Sequence, residues 1–400
     1  MCPPCKYDIS VPTELGWIGL CCIDSAVNGY VKAVTRSIAE VGIAPPPDLL
    51  LLTRDLVAIR SESYEEGPFV DWIQARLSEY GHLSVTRLGD NLVARTTLGR
   101  DQRVVLAGHT DTVPANNNEI PRIDGDTVWG LGATDMKGGL AVMLALAQTA
   151  TNPAVDLTFV FYAREEVARA DSGLGELADQ VPHLLEGDCA VLGEPTGAVL
   201  EAGCQGAIRV EVKMAGARAH TARPWMGRNA IHRLGPVLDI LAQWGGRQPV
   251  IDQCEYRESL QAVAVEGGVA GNVVPDNVGL KIHYRFAPDR DVSEAEDFVR
   301  DLLGDHMEPS DTFDVIDAAS SCPPDLTHPL IDRLIRQSSL DIRAKLGWTD
   351  VARFAEMGIP AVNFGPGDPT LAHTVDEHVH RDELYRCYNG IAMMIGYTHD

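Results

Sequence analysis

The stretch LAGHTDTVPA, residues 106–115, follows directly on the apolar pair Val104-Val105 and sets His109 and Asp111 two residues apart. In an extended chain, positions i and i+2 point to the same side. A histidine and a carboxylate therefore share one pocket where an apolar strand ends. The pair is either a metal ligand with its orienting partner or an ordinary polar turn, and the neighbouring segments have to decide between the two.

Outward from this stretch, short apolar runs alternate with helical patterns. Strands are expected at 92–96, 103–108, 157–163 and 189–193, and helices at 136–150 and about 173–186. The organised part begins near Asp48 with a helix through LLLLTRDLVAIR, and a second helix uses Phe69, Val70, Ile73 and Leu77. Such alternation reads as an α/β unit around a largely buried sheet. From Gly206 the style changes to period-two runs, AIRVEVKMAG, LQAVAVEGG and VGLKIHYRFA, with helices at NAIHRLGPVLDILAQW and SEAEDFVRDLLG. This order suggests an inserted α+β sandwich over 206–312. The first style is expected to resume at 313 with TFDVIDA and to continue to 400. Residues 1–47 fit neither part. Val31, Val34, Ile38 and Val41 keep a loose helical spacing that Pro45-Pro46-Pro47 ends, and no role is assigned to this extension.

Bulk composition narrows the function. The 33 Lys and Arg against 57 Asp and Glu give a net charge of −24, which argues against nucleic acid or an anionic membrane as partner. A small anionic substrate needs only a few local arginines. No apolar run reaches the roughly 20 residues of a spanning helix. The first residues lack a basic and apolar signal pattern, so a cytoplasmic protein is expected. Nine cysteines without framework spacing suggest reduced thiols. Cys2-x-x-Cys5 with Cys21-Cys22 is poor geometry for a zinc knuckle.

Five stretches concentrate His, Asp and Glu near the ends of the expected strands: AGHTD (107–111), GLGATDMKGG (130–139), AREEV (163–167), LGEPTG (192–197) and DPTLAHT (368–374). Each has a bland reading. Asp135 could cap the helix behind it, Glu165-Glu166 could be a solvated pair, Glu194 could be turn chemistry, and His373 could be a satisfied loop histidine. Gly130-Leu131-Gly132 lacks the third glycine of a dinucleotide loop. In an open α/β sheet, however, the strand carboxyl ends form one crevice. Two histidines and three carboxylates gathered there, with a spare carboxylate, form an oxygen–nitrogen ligand set that suits zinc. A pair of ions about 3.5–4 Å apart would need one bridging carboxylate.

Together, HTDTVP, GLGATDMKGG, the Glu165-Glu166 pair, GEPT and AHT resemble the dinuclear zinc amidohydrolases and peptidases, in order and over residues 48–395. The resemblance implies a zinc-peptidase-like catalytic domain, a mixed sheet flanked by helices, formed by 48–205 and 313–400, with 206–312 as lid and dimerisation domain. It implies two zinc ions, with cobalt or manganese as possible substitutes. His109 and Glu194 would bind one ion, Asp135 would bridge, and Glu166 and His373 would bind the other. Asp111 would accept the second ring N–H of His109, and Glu165 would be general base and acid. The segment ARAHTARPWMGRNAIH would bring His220 to a partner subunit's site, with Asn272 near substrate and Arg285 on a substrate carboxylate. Arg223 is a further candidate anchor, alongside Arg218 and Arg228. EAGCQG, RAHTARPW, GGVAGNVVPDN and GWTDVARF resemble the succinyl-diaminopimelate desuccinylase branch, which implies hydrolysis of N-succinyl-LL-2,6-diaminopimelate by a homodimer. An acetylornithine deacetylase or general N-acyl amino acid hydrolase is the alternative within the class. A non-catalytic binding relative is the alternative outside it, and such a relative would be expected to have lost at least one of these residues.

Overall fold

In the computed structural model, which describes residues 46–397, the strand Arg103–His109 lies inside an eight-stranded mixed sheet. Across the sheet the strands are Ser84–Leu88, Asn91–Arg95, Asp156–Tyr162, Arg103–His109, Cys189–Leu192, Ala361–Asn363, Leu200–Ala202 and Ile342–Ala344. The four from Asp156–Tyr162 to Ala361–Asn363 run parallel. Their register sets His109 beside Tyr162 and Ala107 beside Leu192, so neighbouring strands end at nearly the same level.

Burial on both faces explains why these strands read as continuous apolar runs. Asp156–Tyr162 is buried along its whole length, and Val104 to Ala107 are almost fully enclosed. On one face, Gly138–Thr149 packs between Leu49–Val57 and Arg381–Met394. It is buried from Gly138 to Ala147, as a helix apolar on all sides must be. On the other face, Leu174, Leu177, Val351 and Phe354 join Val105, Ala107, Val160 and Tyr162 in one cluster. The Asp48 side chain caps the first helix by accepting from Leu50 N and Leu51 N. Close approach demands glycine at two places: a Cβ on Gly139 or on Gly365 would stand 2.2 Å from the Gly193 carbonyl oxygen.

A second, antiparallel sheet has the order Ser259–Gly267, Asn277–Phe286, Gly206–Ala215 and Thr312–Ala319. Helices Ala230–Gln243 and Val292–Gly304 cover one of its faces, over a core that includes Ile208, Val210, Leu234, Val299 and Tyr284. Thr312–Ala319 corrects the expected boundary at 313. It does not return to the first sheet but pairs with Gly206–Ala215, turning Phe313 and Val315 toward the same core. Its period-two pattern already matched the strands of this region, and the second sheet runs to Ala319.

Apart from Pro46 and Pro47, the extension 1–47 lies outside the described residues, together with the spacing at Val31–Val41 and with Cys2, Cys5, Cys21 and Cys22. Among the described residues, Cys189, Cys204, Cys254, Cys322 and Cys387 are buried free thiols, and no helix is long and apolar enough to cross a membrane.

Candidate functional site

His109 is the last residue of its strand, and the strands beside it end at nearly the same level. Glu165 and Glu166 follow Tyr162, Glu194 follows Leu192, and His373 lies in the loop after Ala361–Asn363. Asp135 comes from the turn Ala133–Lys137 that leads into the buried helix. Its Oδ1 is 3.1 Å from His109 Nε2, and its Oδ2 is 3.5 Å from His373 Nε2. His373 Nε2 is also 2.8 Å from Glu166 Oε1. One carboxylate thus stands between two imidazoles, one oxygen toward each. Donor atoms within 4.8 Å of one another form the groups His109–Asp135–Glu194, Asp135–Glu166–His373 and His109–Glu165–Glu166.

These groups perturb one another strongly. Burial alone would raise the Asp135 carboxyl, but hydrogen bonds with His109 and His373 outweigh it and hold the group well below the usual range. Burial opposes charge on His109, yet the neighbouring carboxylates of Asp111 and Asp135 hold its pKa well above the ordinary value. His373, bonded to Asp135 and Glu166, is raised to about 10. Burial lifts Glu194 to about 7 and Glu165 well above the carboxylate range, with nearby carboxylates adding to both. Glu194 Oε1 is buried with no hydrogen-bond partner among the described residues. The unpaired Glu194 oxygen and two imidazoles packed on carboxylates make a site short of positive charge. A divalent cation would supply that charge and take the ring nitrogens as ligands, so the residues fit a metal.

Residues 105–396 match the model of peptidase family M20/M25/M40. The chain belongs to that family. A succinyl-diaminopimelate desuccinylase of Corynebacterium glutamicum is 44% identical over 339 residues, covering 82% of this chain and 91% of the relative. A Mycobacterium tuberculosis protein, provisionally named as the same enzyme, is 49% identical over 337 residues, covering 83% and 93%. Among solved structures, a Staphylococcus aureus tripeptidase superposes with a TM-score of 0.70 at 21% identity, covering 88% of this chain and 98% of its own. A Bacillus subtilis protein described as a dinuclear metal binding peptidase has a TM-score of 0.66 at 16% identity, covering 87% and 96%. This M20-family chain is a metal-dependent amide hydrolase.

The geometry redistributes the work expected of Asp111. His109 Nδ1 donates to the Asp111 main-chain carbonyl at 3.0 Å, whereas the nearest carboxylate oxygen is 3.5 Å away, long for a hydrogen bond. A carbonyl only accepts, so Nδ1 carries a proton and Nε2 faces the metal group. The Asp111 carboxylate instead accepts from Glu165 N at 3.0 Å, Glu166 N at 3.1 Å and Ser63 Oγ at 2.8 Å. It is the anchor of the turn that presents both glutamates. Arg164, just before them, has a φ of 60°, and His373 a φ of 64°, both in the region that side chains avoid. Glu66 Oε1 accepts from Arg164 N, and the Arg164 guanidinium reaches Glu176 and the Asp171 carbonyl, which hold the first of these strained residues.

Of the expected lid residues, Arg285 alone joins the cavity beside Glu165. His220, Arg223 and Asn272 lie together elsewhere, exposed: Thr221 N donates to the Asn272 carbonyl and Arg223 N to the His220 carbonyl. Arg218 is tied to Asp276 at 2.7 Å and Arg228 to Glu308 at 2.5 Å. Three residues near the centre had no role in the sequence reading. Glu377 Oε1 accepts from Thr134 N and Asp135 N and so fixes the turn that carries Asp135. Asp350 is buried, pairs with Arg353 at 3.0 Å and contributes to the raised Glu165 carboxyl. Lys345, bonded to Glu201 at 2.9 Å, places a buried cation within electrostatic reach of Glu194. Asp350 stands in the quoted segment GWTDVARF, and Glu377 lies three residues beyond the quoted DPTLAHT, where a carboxylate in a turn was the available signal; Lys345 had none.

Proposed function

We propose that the protein hydrolyses the amide of N-succinyl-LL-2,6-diaminopimelate to succinate and LL-2,6-diaminopimelate, with two divalent ions, zinc in the first place. The observation that carries this reading is identity of 44–49% along nearly the whole length of two proteins named for that activity. The donor groups around Asp135 support two ion positions. His109, Asp135 and Glu194 would hold one ion, and Asp135, Glu166 and His373 the other. Bound there, the ions would supply Lewis acidity, polarising the amide carbonyl and acidifying water.

The chain's own groups provide the rest. The Glu165 carboxylate would accept a proton from the attacking water and return it to the amide nitrogen as the amine departs. Burial beside Glu194, Asp350 and Glu166 keeps that carboxyl ready to hold a proton. The N–H bonds from Glu165 and Glu166 to Asp111 would keep the base and its neighbouring ligand in one fixed turn. Arg285 is a cationic anchor for a substrate carboxylate.

A homodimer through the lid is part of the same proposal. The outer strand Ser259–Gly267 is a nine-residue edge with Val263 and Val265 exposed, next to a helix that exposes Ile231 and Leu238. An edge of that length calls for a covering strand. A second copy would provide it, and would explain exposed His220 and Asn272 as contributions to the partner's site.

The test is a panel with metal-loaded protein: N-succinyl-diaminopimelate, N-acetylornithine, a plain N-acetyl amino acid and a glutamyl-terminated dipeptide. Strong preference for the succinyl compound is expected. Preference for another member removes the substrate assignment and leaves the amide-hydrolase chemistry.

A further inference from the structure

We infer that Arg209 and His283, on the open face of the lid sheet, complete with Arg285 an anion subsite that holds a substrate carboxylate away from the metal groups. The inference rests on the amide-hydrolase reading above and adds two residues that determine specificity. Strand alternation puts Ile208 and Val210 with Ile282, Tyr284 and Phe286 under the helices, so Ala207, Arg209, His283 and Arg285 share the other face. The register pairs Arg209 with His283 and the small Ala207 with Arg285. All four line a cavity of about 530 Å³ that also contains Glu165 and Trp348.

Basic side chains grouped on neighbouring strands repel one another, and the described residues supply few countercharges. Asp317 reaches Arg209 at 3.6 Å. Arg285 has no ion pair among the described residues, and burial with repulsion from Arg209 lowers its pKa. The other arginines of this cavity are engaged, Arg169 with Glu356 at 2.7 Å and Arg353 with Asp350 at 3.0 Å. Burial, then Arg285 and Arg209, push His283 below its ordinary value against Asp317, leaving a neutral ring able to donate a hydrogen bond. Two guanidinium forks and an imidazole on one wall suit a planar carboxylate. It could be the distal carboxylate of the acyl group or a carboxylate of the amine, and the binding experiment separates the two.

Succinate, butanoate and 2,6-diaminopimelate would be titrated separately into the metal-loaded full chain and into its Arg209→Gln, His283→Asn and Asp317→Asn variants. The succinate-to-butanoate affinity ratio isolates the distal acyl carboxylate. Arg209→Gln should lower that ratio about tenfold if the acyl end is held, or weaken diaminopimelate by as much if the amine end is held. His283→Asn should act in the same direction, and Asp317→Asn should strengthen the same probe about twofold to fivefold. Metal content should not move in any variant. The subsite is overturned if every variant binds succinate and 2,6-diaminopimelate as the wild type does, or if the wild type binds neither of these two. A wild type that fails to cleave the succinyl amide, while Arg209→Gln still shifts probe binding, removes the substrate and keeps the subsite.

Discussion

Replacing Asp111 by Asn tests whether the carboxylate anchors the catalytic turn. The substitution keeps the side chain's shape and leaves one acceptor oxygen where there were two. With that oxygen at the Oδ2 position, the bonds from Glu166 N and Ser63 Oγ persist and the new amide NH2 confronts the Glu165 N–H. With the amide reversed, the Glu165 N–H bond persists, Ser63 Oγ accepts from the amide NH2 and the Glu166 N–H loses its acceptor, so either orientation strands one backbone N–H of the turn. One buried N–H left without an acceptor costs about 1–3 kcal/mol, and losing the charge weakens the two surviving bonds by about 1 kcal/mol more. The sum, about 2–4 kcal/mol, corresponds to roughly 30- to 900-fold in kcat/KM when it falls on the competent position of Glu165. Steady-state kinetics at saturating metal, with metal content measured alongside, reads this directly. Metal affinity should also fall, by about 10- to 100-fold, because Glu166 shares the anchor. Ser63→Ala, which removes one neutral donor, should cost less than about tenfold. Wild-type kcat/KM in the Asp111→Asn protein would refute the anchoring role.

Glu165→Gln should keep its metal while turnover falls by about 10²–10⁴-fold, since it removes a proton acceptor and leaves the ligands in place; metal loss in parallel with activity would show that Glu165 is itself a ligand. Mixing Glu165→Gln and His220→Ala proteins should restore up to about a quarter of wild-type activity, from the mixed dimers that hold one intact site; no recovery from verified mixed dimers would end the trans role of His220. In chelated protein, His373 is raised to about 10 and Glu194 to about 7, so the folded state binds more protons than the unfolded one. Stability contributed by His373 is then complete below about pH 6.5 and lost as pH rises through 10, and that from Glu194 is lost between about 4.5 and 7. Thermal melts of the chelated protein should fall across this range and melts of the metal-loaded protein should not, because binding expels those protons; a rising chelated profile would contradict the assigned protonation.

Strand ends were legible because burial on both faces leaves an unmistakable apolar run, and the polar residues two to four positions after Leu106, Tyr162 and Leu192 emerge near one level once those strands pair in parallel. That reasoning located His109, Glu165, Glu166 and Glu194. Asp135 and His373 stood in two of the five quoted stretches, but their separate roles came only from the family pattern, since a helix-leading turn and a long loop carry no periodicity. The share of Asp111 between its carbonyl and its carboxylate was out of reach, because it depends on tenths of an ångström in a turn. Arg209 and His283 look like any polar residues of an alternating strand until the register places them side by side. Thr312–Ala319 was assigned to the wrong sheet because a lone strand pattern does not name its neighbour.

The position of Ala361–Asn363 has a consequence for synthesis. This strand inserts between Cys189–Leu192 and Leu200–Ala202, which precede it by more than 150 residues, whereas the second sheet is drawn from one continuous segment. A chain emerging from the ribosome as far as Ser320 has every strand of the lid and none of the keystone of the larger sheet. Until the last tenth of the polypeptide is delivered, the strand that ends at Leu192 keeps an unpaired edge and His373 is not yet made. The donor group Asp135–Glu166–His373 is therefore incomplete while the chain is nascent, and the unfinished sheet is the species for which a chaperone would matter most.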